Sequence, residues 1–159
     1  MADAEVIIPE LVTLVDIKGS TPKQDYAAHI TFRGLTFAYS DWNLAEVDGS
    51  HGNATVQGCT YMNKFSTGNW HDDMYRSYDV APAAVHATSA HDIAILDGKI
   101  EMTGYLGFHA ENDVYNIEVT GNYIGHTGGG GVTIGIPSMS MRMILRSIGR
   151  RLRFQQRRP

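Results

Sequence analysis

The sequence lacks the features of several protein classes. It has one cysteine, Cys59, which excludes an internal disulfide framework and favours a cytoplasmic location. No run approaches the roughly 20 apolar residues of a membrane span. The acidic residues 1–5 lack the basic and apolar regions of a secretory signal. We therefore expect a cytoplasmic protein of one compact domain that needs no disulfide.

Motifs of common catalytic sites are also missing. There is no Gly-x-Ser-x-Gly nucleophile elbow, and the glycine run at 128–131 precedes a strand-like segment rather than the helix and lysine of a phosphate loop. The seven histidines form no His-x-His or His-Glu-x-x-His pair. Cys59 follows Gly58 in a strand-like pattern, which favours a small wall residue over a nucleophile. We predict no metal and no cofactor.

Charge is distributed unevenly along the chain. Residues 1–141 hold all 17 acidic side chains and six basic ones (6 − 17 = −11), whereas residues 142–159 hold seven arginines and no acid. Because an acidic body repels phosphate, we predict no nucleic-acid partner and no membrane partner, and we expect the tail to fold back on the body. Binding of the tail to an anionic surface is the alternative.

Hydrophobic alternation predicts about eight strands with short turns and no internal repeat. The clearest pair is 93–96 and 100–103, which flank Asp97-Gly98, a dipeptide typical of a tight antiparallel hairpin. This pattern favours an all-β barrel or sandwich over residues 1–137. In residues 138–159, apolar residues at helical spacing predict a basic amphipathic helix or tail.

Several short, glycine-weighted segments are shared with a known family. They are Asp97-Gly98-x-Ile100-x-x-x-Gly104, Val119-Thr120-Gly121 with Gly125 and Thr127-Gly128, Phe37-Ala38-Tyr39-Ser40-Asp41-Trp42 with Gly52 and Gly58, and Glu10-Leu11 with Asp16-Ile17. On these segments the sequence resembles the allene oxide cyclase and dirigent type of calycin-like barrel, nearest to the bacterial spirotetronate [4+2] cyclases (Diels-Alderases). The resemblance implies an eight-stranded antiparallel β-barrel and a cofactor-independent enzyme of natural-product biosynthesis.

The implied reaction is ring closure of a linear polyene or polyketide inside a hydrophobic barrel, which requires mainly that the two reacting ends be held together. A polyene or polyketide is therefore the expected partner. A lipocalin-like carrier of a small apolar ligand is the alternative, and a homodimer is plausible.

Strand parity, with Tyr39 placed inward as the resemblance implies, predicts the lining of the barrel. Tyr39 and Glu118 are the predicted catalytic residues, with Glu118 a buried carboxylate of raised pKa or, alternatively, a solvated outward residue. The predicted substrate-binding residues are Asp16, Phe37, Thr60, Met62, Tyr78, Met102 and Tyr105.

Overall fold

The computed structural model describes residues 6–47, 52–53, 60–63, 78–135 and 153–155, and for residues 52, 53, 78 and 153–155 it describes the backbone alone. Two short 3-10 helices, Thr21–Lys23 and Leu44–Glu46, accompany the strands. No helix in these ranges is long and apolar enough to cross a membrane. The strands are β1 (Val15–Lys18), β2 (Ala27–Arg33), β3 (Thr36–Ser40), β4 (Gly52–Asn53), β5 (Thr60–Met62), β6 (Tyr78–Val80), β7 (Ala83–Thr88), β8 (Ala90–Leu96), β9 (Lys99–Thr103), β10 (Leu106–Ala110), β11 (Val114–Thr120), β12 (Tyr123–Thr127), β13 (Val132–Ile134) and β14 (Arg153–Gln155).

The strands stack in parallel and form three sheets. Sheet 1 has the order β1-β7-β10-β13, sheet 2 the order β14-β11-β8-β2, and sheet 3 the order β12-β9-β3. The chain passes through sheets 1, 2 and 3 in turn and then returns to sheet 1 one layer further on. This is a parallel β-helix, or solenoid, whose complete coils are β1–β3, β7–β9 and β10–β12.

The prediction of an all-β fold is confirmed, but the eight-stranded antiparallel barrel is wrong. The pairs within the three main sheets are parallel. Only the small sheet β4-β5-β6, in the segment between β3 and β7, is antiparallel among the described strands. The resemblance to a barrel family therefore finds no support in how these strands pair.

The predicted hairpin at Asp97-Gly98 is a corner of the solenoid. Strands β8 and β9 flank it, yet β8 pairs with β2 and β11 while β9 pairs with β3 and β12. Asp97 has φ +53°, and Gly34 and Gly121 at the same corner of the other coils have φ +67° and +70°. One left-handed residue turns the chain from sheet 2 into sheet 3 without reversing it, so Asp-Gly suits a corner as well as a hairpin.

Columns of apolar side chains fill the interior of the solenoid. Ile93, Ile95 and Ile100 on the second coil are at most 2% exposed, and on sheet 1 Val85 and Phe108 belong to the same cluster. Parallel register places like residues above one another, so each coil buries the apolar face of the next. The columns through the second coil are Ile30-Ile93-Ile117, Phe32-Ile95-Val119 and Phe37-Ile100-Ile124.

The expectation of no internal repeat is also wrong. Ile93 pairs with Ile117, 24 positions later, whereas Ile30 pairs with Ile93, 63 positions later. The longer interval contains the segment with β4, β5 and β6. This segment separates the first coil from the second and hides the period in the sequence.

The predicted C-terminal helix lies mostly outside the described residues. Within the segment predicted as a helix, residues Arg153–Gln155 form β14, a strand that extends sheet 2 by pairing in parallel with β11. The helix is therefore wrong for these three residues. The division of the chain at residue 137 stays a prediction.

Candidate functional site

The outer face of sheet 1 holds a column of polar side chains. Parallel register places Asp16, His86, His109 and Thr133 at equivalent positions of β1, β7, β10 and β13. The neighbouring Val85 is fully buried in the core. Because successive residues of a strand point to opposite faces, the column faces outward. Neighbouring strands lie about 4.8 Å apart, which brings its side chains into contact.

His86 is held between two carboxylates. Its Nδ1 lies 2.7 Å from Oδ1 of Asp16, and its Nε2 lies 2.7 Å from Oε2 of Glu111. The side chains of His86 and Glu111 are 20% and 25% exposed, whereas that of Asp16 is 50% exposed. Since carboxylates accept hydrogen bonds, both ring nitrogens donate when the imidazole is protonated.

These contacts change the pKa values of the pair in opposite directions. The hydrogen bond to Glu111 raises the pKa of His86 against the opposing effect of burial, and Asp16 adds to the rise. The hydrogen bond from His86 lowers the pKa of Glu111, again against burial. Each partner thus favours the charged form of the other, and the cluster holds an imidazolium between two anions.

His109, beside His86 on the next strand, has the opposite environment. It is 2% exposed, and burial lowers its pKa. Its Nε2 donates to the carbonyl oxygen of Gly135 at 2.9 Å, which fixes the tautomer of the neutral ring. The centroids of the His86 and His109 rings are 5.8 Å apart. Neighbouring groups whose pKa values are driven apart in this way are typical of acid–base sites.

Tyr39 and Met102 were expected to face inward, but the structure places them on the outer surface. They are 45% and 46% exposed, while Phe37 and Ile100, two residues earlier in each strand, are buried. Tyr39 and Met102 have positive φ angles of +62° and +52°. His126, at the equivalent position of β12, also has a positive φ of +52°. A residue with left-handed backbone interrupts the alternation of side chains between the two faces of a strand. The inward direction predicted for Tyr39 by counting from Phe37 is therefore wrong.

Glu118 is exposed between the inward-facing Ile117 and Val119 of β11, so the expected buried carboxylate is wrong and the outward alternative is confirmed. Asp16 belongs to the cluster around His86.

The other predicted residues are divided between the core and the segment after β3. Phe37 belongs to the main core, and Tyr105 to a smaller cluster with Trp42 and Tyr61 packed against it. Met62 is half-buried, and the side chain of Tyr78 lies outside the described residues. Thr60 is buried, and its hydroxyl oxygen has no hydrogen-bond partner. The predicted residues whose side chains the structure describes therefore do not surround a common cavity.

Sequence reasoning missed His86, Glu111 and His109. Asp16 and His86 are 70 positions apart, and His86 and Glu111 are 25 positions apart. The signal that could have found them is the coil register, in which Asp16, His86 and His109 are equivalent. Comparison of the chain with models of protein families, with curated proteins and with solved structures finds no match.

One group of described residues could hold a metal ion, and it lies on sheet 2 rather than sheet 1. It consists of His29, His91 and Asp92.

Proposed function

We propose that the chain is an enzyme that cleaves a neutral polysaccharide by acid–base chemistry on the outer face of sheet 1. The observation that supports this most directly is His86, which is bound through both ring nitrogens to Asp16 and Glu111 beside a neutral His109. A proton donor and proton acceptors thus lie within hydrogen-bond distance of one another, as general acid–base catalysis requires.

The shape of this face favours an extended ligand. The cluster lies on the outside of a solenoid whose described interior is packed with side chains, and Asp16 is half exposed. Asp16 and His86 are accessible on adjacent stacked strands, whereas His109 on the third is buried. A cluster that opens at the surface suits a polymer better than an enclosed small molecule.

The charge of the face and of the chain favours a neutral, hydroxyl-rich polymer. Asp16 and Glu111 are anionic groups that accept hydrogen bonds from hydroxyls, and a hydroxyl that displaces Asp16 from Nδ1 of His86 accepts one from the imidazolium. The body of the chain is strongly acidic, with 17 acidic and six basic side chains in residues 1–141. A polyanion such as nucleic acid would be repelled by this charge, whereas a neutral glycan would not.

The proposed step is hydrolysis of a glycosidic bond. The glycosidic oxygen takes the place of Asp16 at Nδ1 of His86, and this N–H gives it a proton while the bond from that oxygen to the sugar carbon breaks. A water molecule adds to the same carbon and gives a proton to the half-exposed carboxylate of Asp16. Glu111 keeps the imidazolium oriented from its more buried side. The products are two hydroxyl-ended fragments, and a proton that passes from Asp16 to His86 restores the starting charges.

This proposal replaces the expected ring closure. Cyclisation and the alternative carrier role both required a hollow barrel, and the described interior is instead occupied by the columns through Ile93, Ile95 and Ile100. Ring closure, the carrier role and a homodimer stay untested predictions.

The experiment is a reducing-end assay of the full chain against a panel of neutral polysaccharides. We expect His86→Gln to lower the rate by roughly 10²-fold or more, because a positioned acid or base contributes about 10²–10⁴-fold, and Asp16→Asn to lower it similarly. The matched control is His126→Gln, which changes an exposed histidine on sheet 3. No cleavage of any neutral polysaccharide, or cleavage that His86→Gln leaves unchanged, would overturn the proposal.

A further inference from the structure

A second polar cluster lies on sheet 2, at a bend that recurs in each coil. His29, Asp92 and Asn116 occupy the same position of β2, β8 and β11, since the residues on either side of them are register partners. Their φ angles are +60°, +53° and +53°. His91 precedes Asp92 and pairs in register with Tyr115. The stacking of coils thus brings together residues that are distant in the sequence.

Three ligand atoms converge in this cluster. Nδ1 of His91 lies 2.7 Å from Oδ2 of Asp92, and Nδ1 of His29 lies 3.4 Å from the same oxygen. One ligand atom from each of the three residues lies within 4.8 Å of the other two. Ligands of a tetrahedral zinc ion with bonds of 2.0–2.1 Å are roughly 3.3 Å apart. Small side-chain rotations therefore suffice to place all three atoms around one ion.

Neighbouring residues orient these ligands. The amide of Asn116 donates to Oδ1 of Asp92, leaving Oδ2 toward the histidines. Asn116 and His91 thus donate hydrogen bonds to the two different oxygens of the Asp92 carboxylate. The ring of His91 stacks on Tyr115, with centroids 4.8 Å apart and an interplanar angle of 12°. Outer partners of this kind fix the ligands of protein metal sites.

We propose that His29, His91 and Asp92 bind one zinc ion on the outer surface of sheet 2. Two imidazoles and one carboxylate form a donor set that suits zinc. His29 is 77% exposed at its side chain, so the remaining coordination position opens to solvent. The site is separate from the cluster around His86 and does not depend on the proposed glycan cleavage.

Backbone conformation gives a competing explanation for part of the cluster. Asn, Asp and His are the residues most enriched among non-glycine residues in the left-handed region, which would account for positions 29, 92 and 116 without a metal. It does not account for His91, which lies outside that column, or for the convergence of three ligand atoms. His126 is the matched control because it is a histidine with left-handed backbone at an exposed position of β12 in sheet 3.

The experiment is calorimetric titration of the full chain with zinc chloride. The variants are His29→Asn and Asp92→Asn, because asparagine keeps the preference for left-handed backbone while it removes the imidazole or the charge. We expect one ion per chain with a Kd of about 1 µM. Each variant should weaken binding about 10-fold or more, and His126→Asn should leave it unchanged.

Circular dichroism of each variant without metal shows whether it folds. His29 is mostly exposed, so its variant should keep the fold even if the variant at Asp92 does not. Zinc binding weaker than about 1 mM, or one-to-one binding by folded His29→Asn that is as tight as that of the wild type, would overturn the proposal. Neither result bears on the cleavage assay.

Discussion

The packed interior of the solenoid predicts a large loss of stability on truncation of Ile93. This side chain is 1% exposed and lies in the column between Ile30 and Ile117. Ile93→Ala removes three methyl or methylene carbons from contact with both neighbouring coils. The transfer of these groups accounts for about 2 kcal/mol, and the cavity left behind adds more. We therefore expect the free energy of unfolding to fall by about 3–4 kcal/mol.

The matched control is Ile134→Ala. It deletes the same atoms from β13, where the side chain is 48% exposed. We expect a loss of about 1 kcal/mol or less, because roughly half of the side chain already contacts water and its removal leaves little cavity. The measurement is urea unfolding of both variants and the wild type, followed by circular dichroism at 25 °C.

Equal and small losses for the two variants would refute the reasoning. That result would mean that Ile93 faces a void or solvent and that the coils do not stack through this column. A change in the slope of the unfolding transition for Ile93→Ala alone would point to a change in the unfolded or native ensemble rather than in packing.

Two further predictions concern polar contacts. We expect His86→Gln to cost about 1–2 kcal/mol of unfolding free energy between pH 4.5 and 6.5, the ordinary pKa values of Glu111 and His86. The cost should shrink as pH rises through the raised pKa of His86, and also as pH falls through the lowered pKa of Glu111. A cost that does not change with pH in urea titrations would contradict the ion pair. Asn122→Asp should cost about 1–3 kcal/mol, because the Asn122 amide donates to the carbonyls of Ile95 (2.6 Å) and Thr120 (3.1 Å). The control Asn43→Asp keeps a side-chain oxygen that accepts from a backbone N–H and loses only an exposed hydrogen bond of 3.3 Å to Glu46, so it should cost about 1 kcal/mol or less by thermal melting.

Sequence patterns located most of the strands because the alternation of apolar and polar residues depends only on residues that are neighbours in the chain. The segments around Ile93 and Ile100 were predicted as strands, and each is one. The partner of each strand could not be predicted in the same way. Strand pairing depends on whether a turn reverses the chain or turns a corner, and Asp97-Gly98 is compatible with both because both need a positive φ.

The direction of side chains was predictable only within uninterrupted strands. Phe37 was placed inward correctly, but Tyr39 and Met102 were not. Both Tyr39 and Met102 have a left-handed backbone that breaks the alternation. Neither residue is of a type enriched in that conformation, so the sequence contains no local signal for the break.

The amino-acid sequence by itself determined that the chain is all-β, where many of its strands lie and that its body is acidic, since these depend on neighbouring residues and on composition. It did not predict β7, β10 or β12. The tertiary structure alone decided which residues meet. Asp16 and His86 are 70 positions apart, and His29 and Asp92 are 63 positions apart, yet each pair is in contact. The physical reason is that parallel stacking places equivalent residues of successive coils about 4.8 Å apart, whatever length of chain separates the coils.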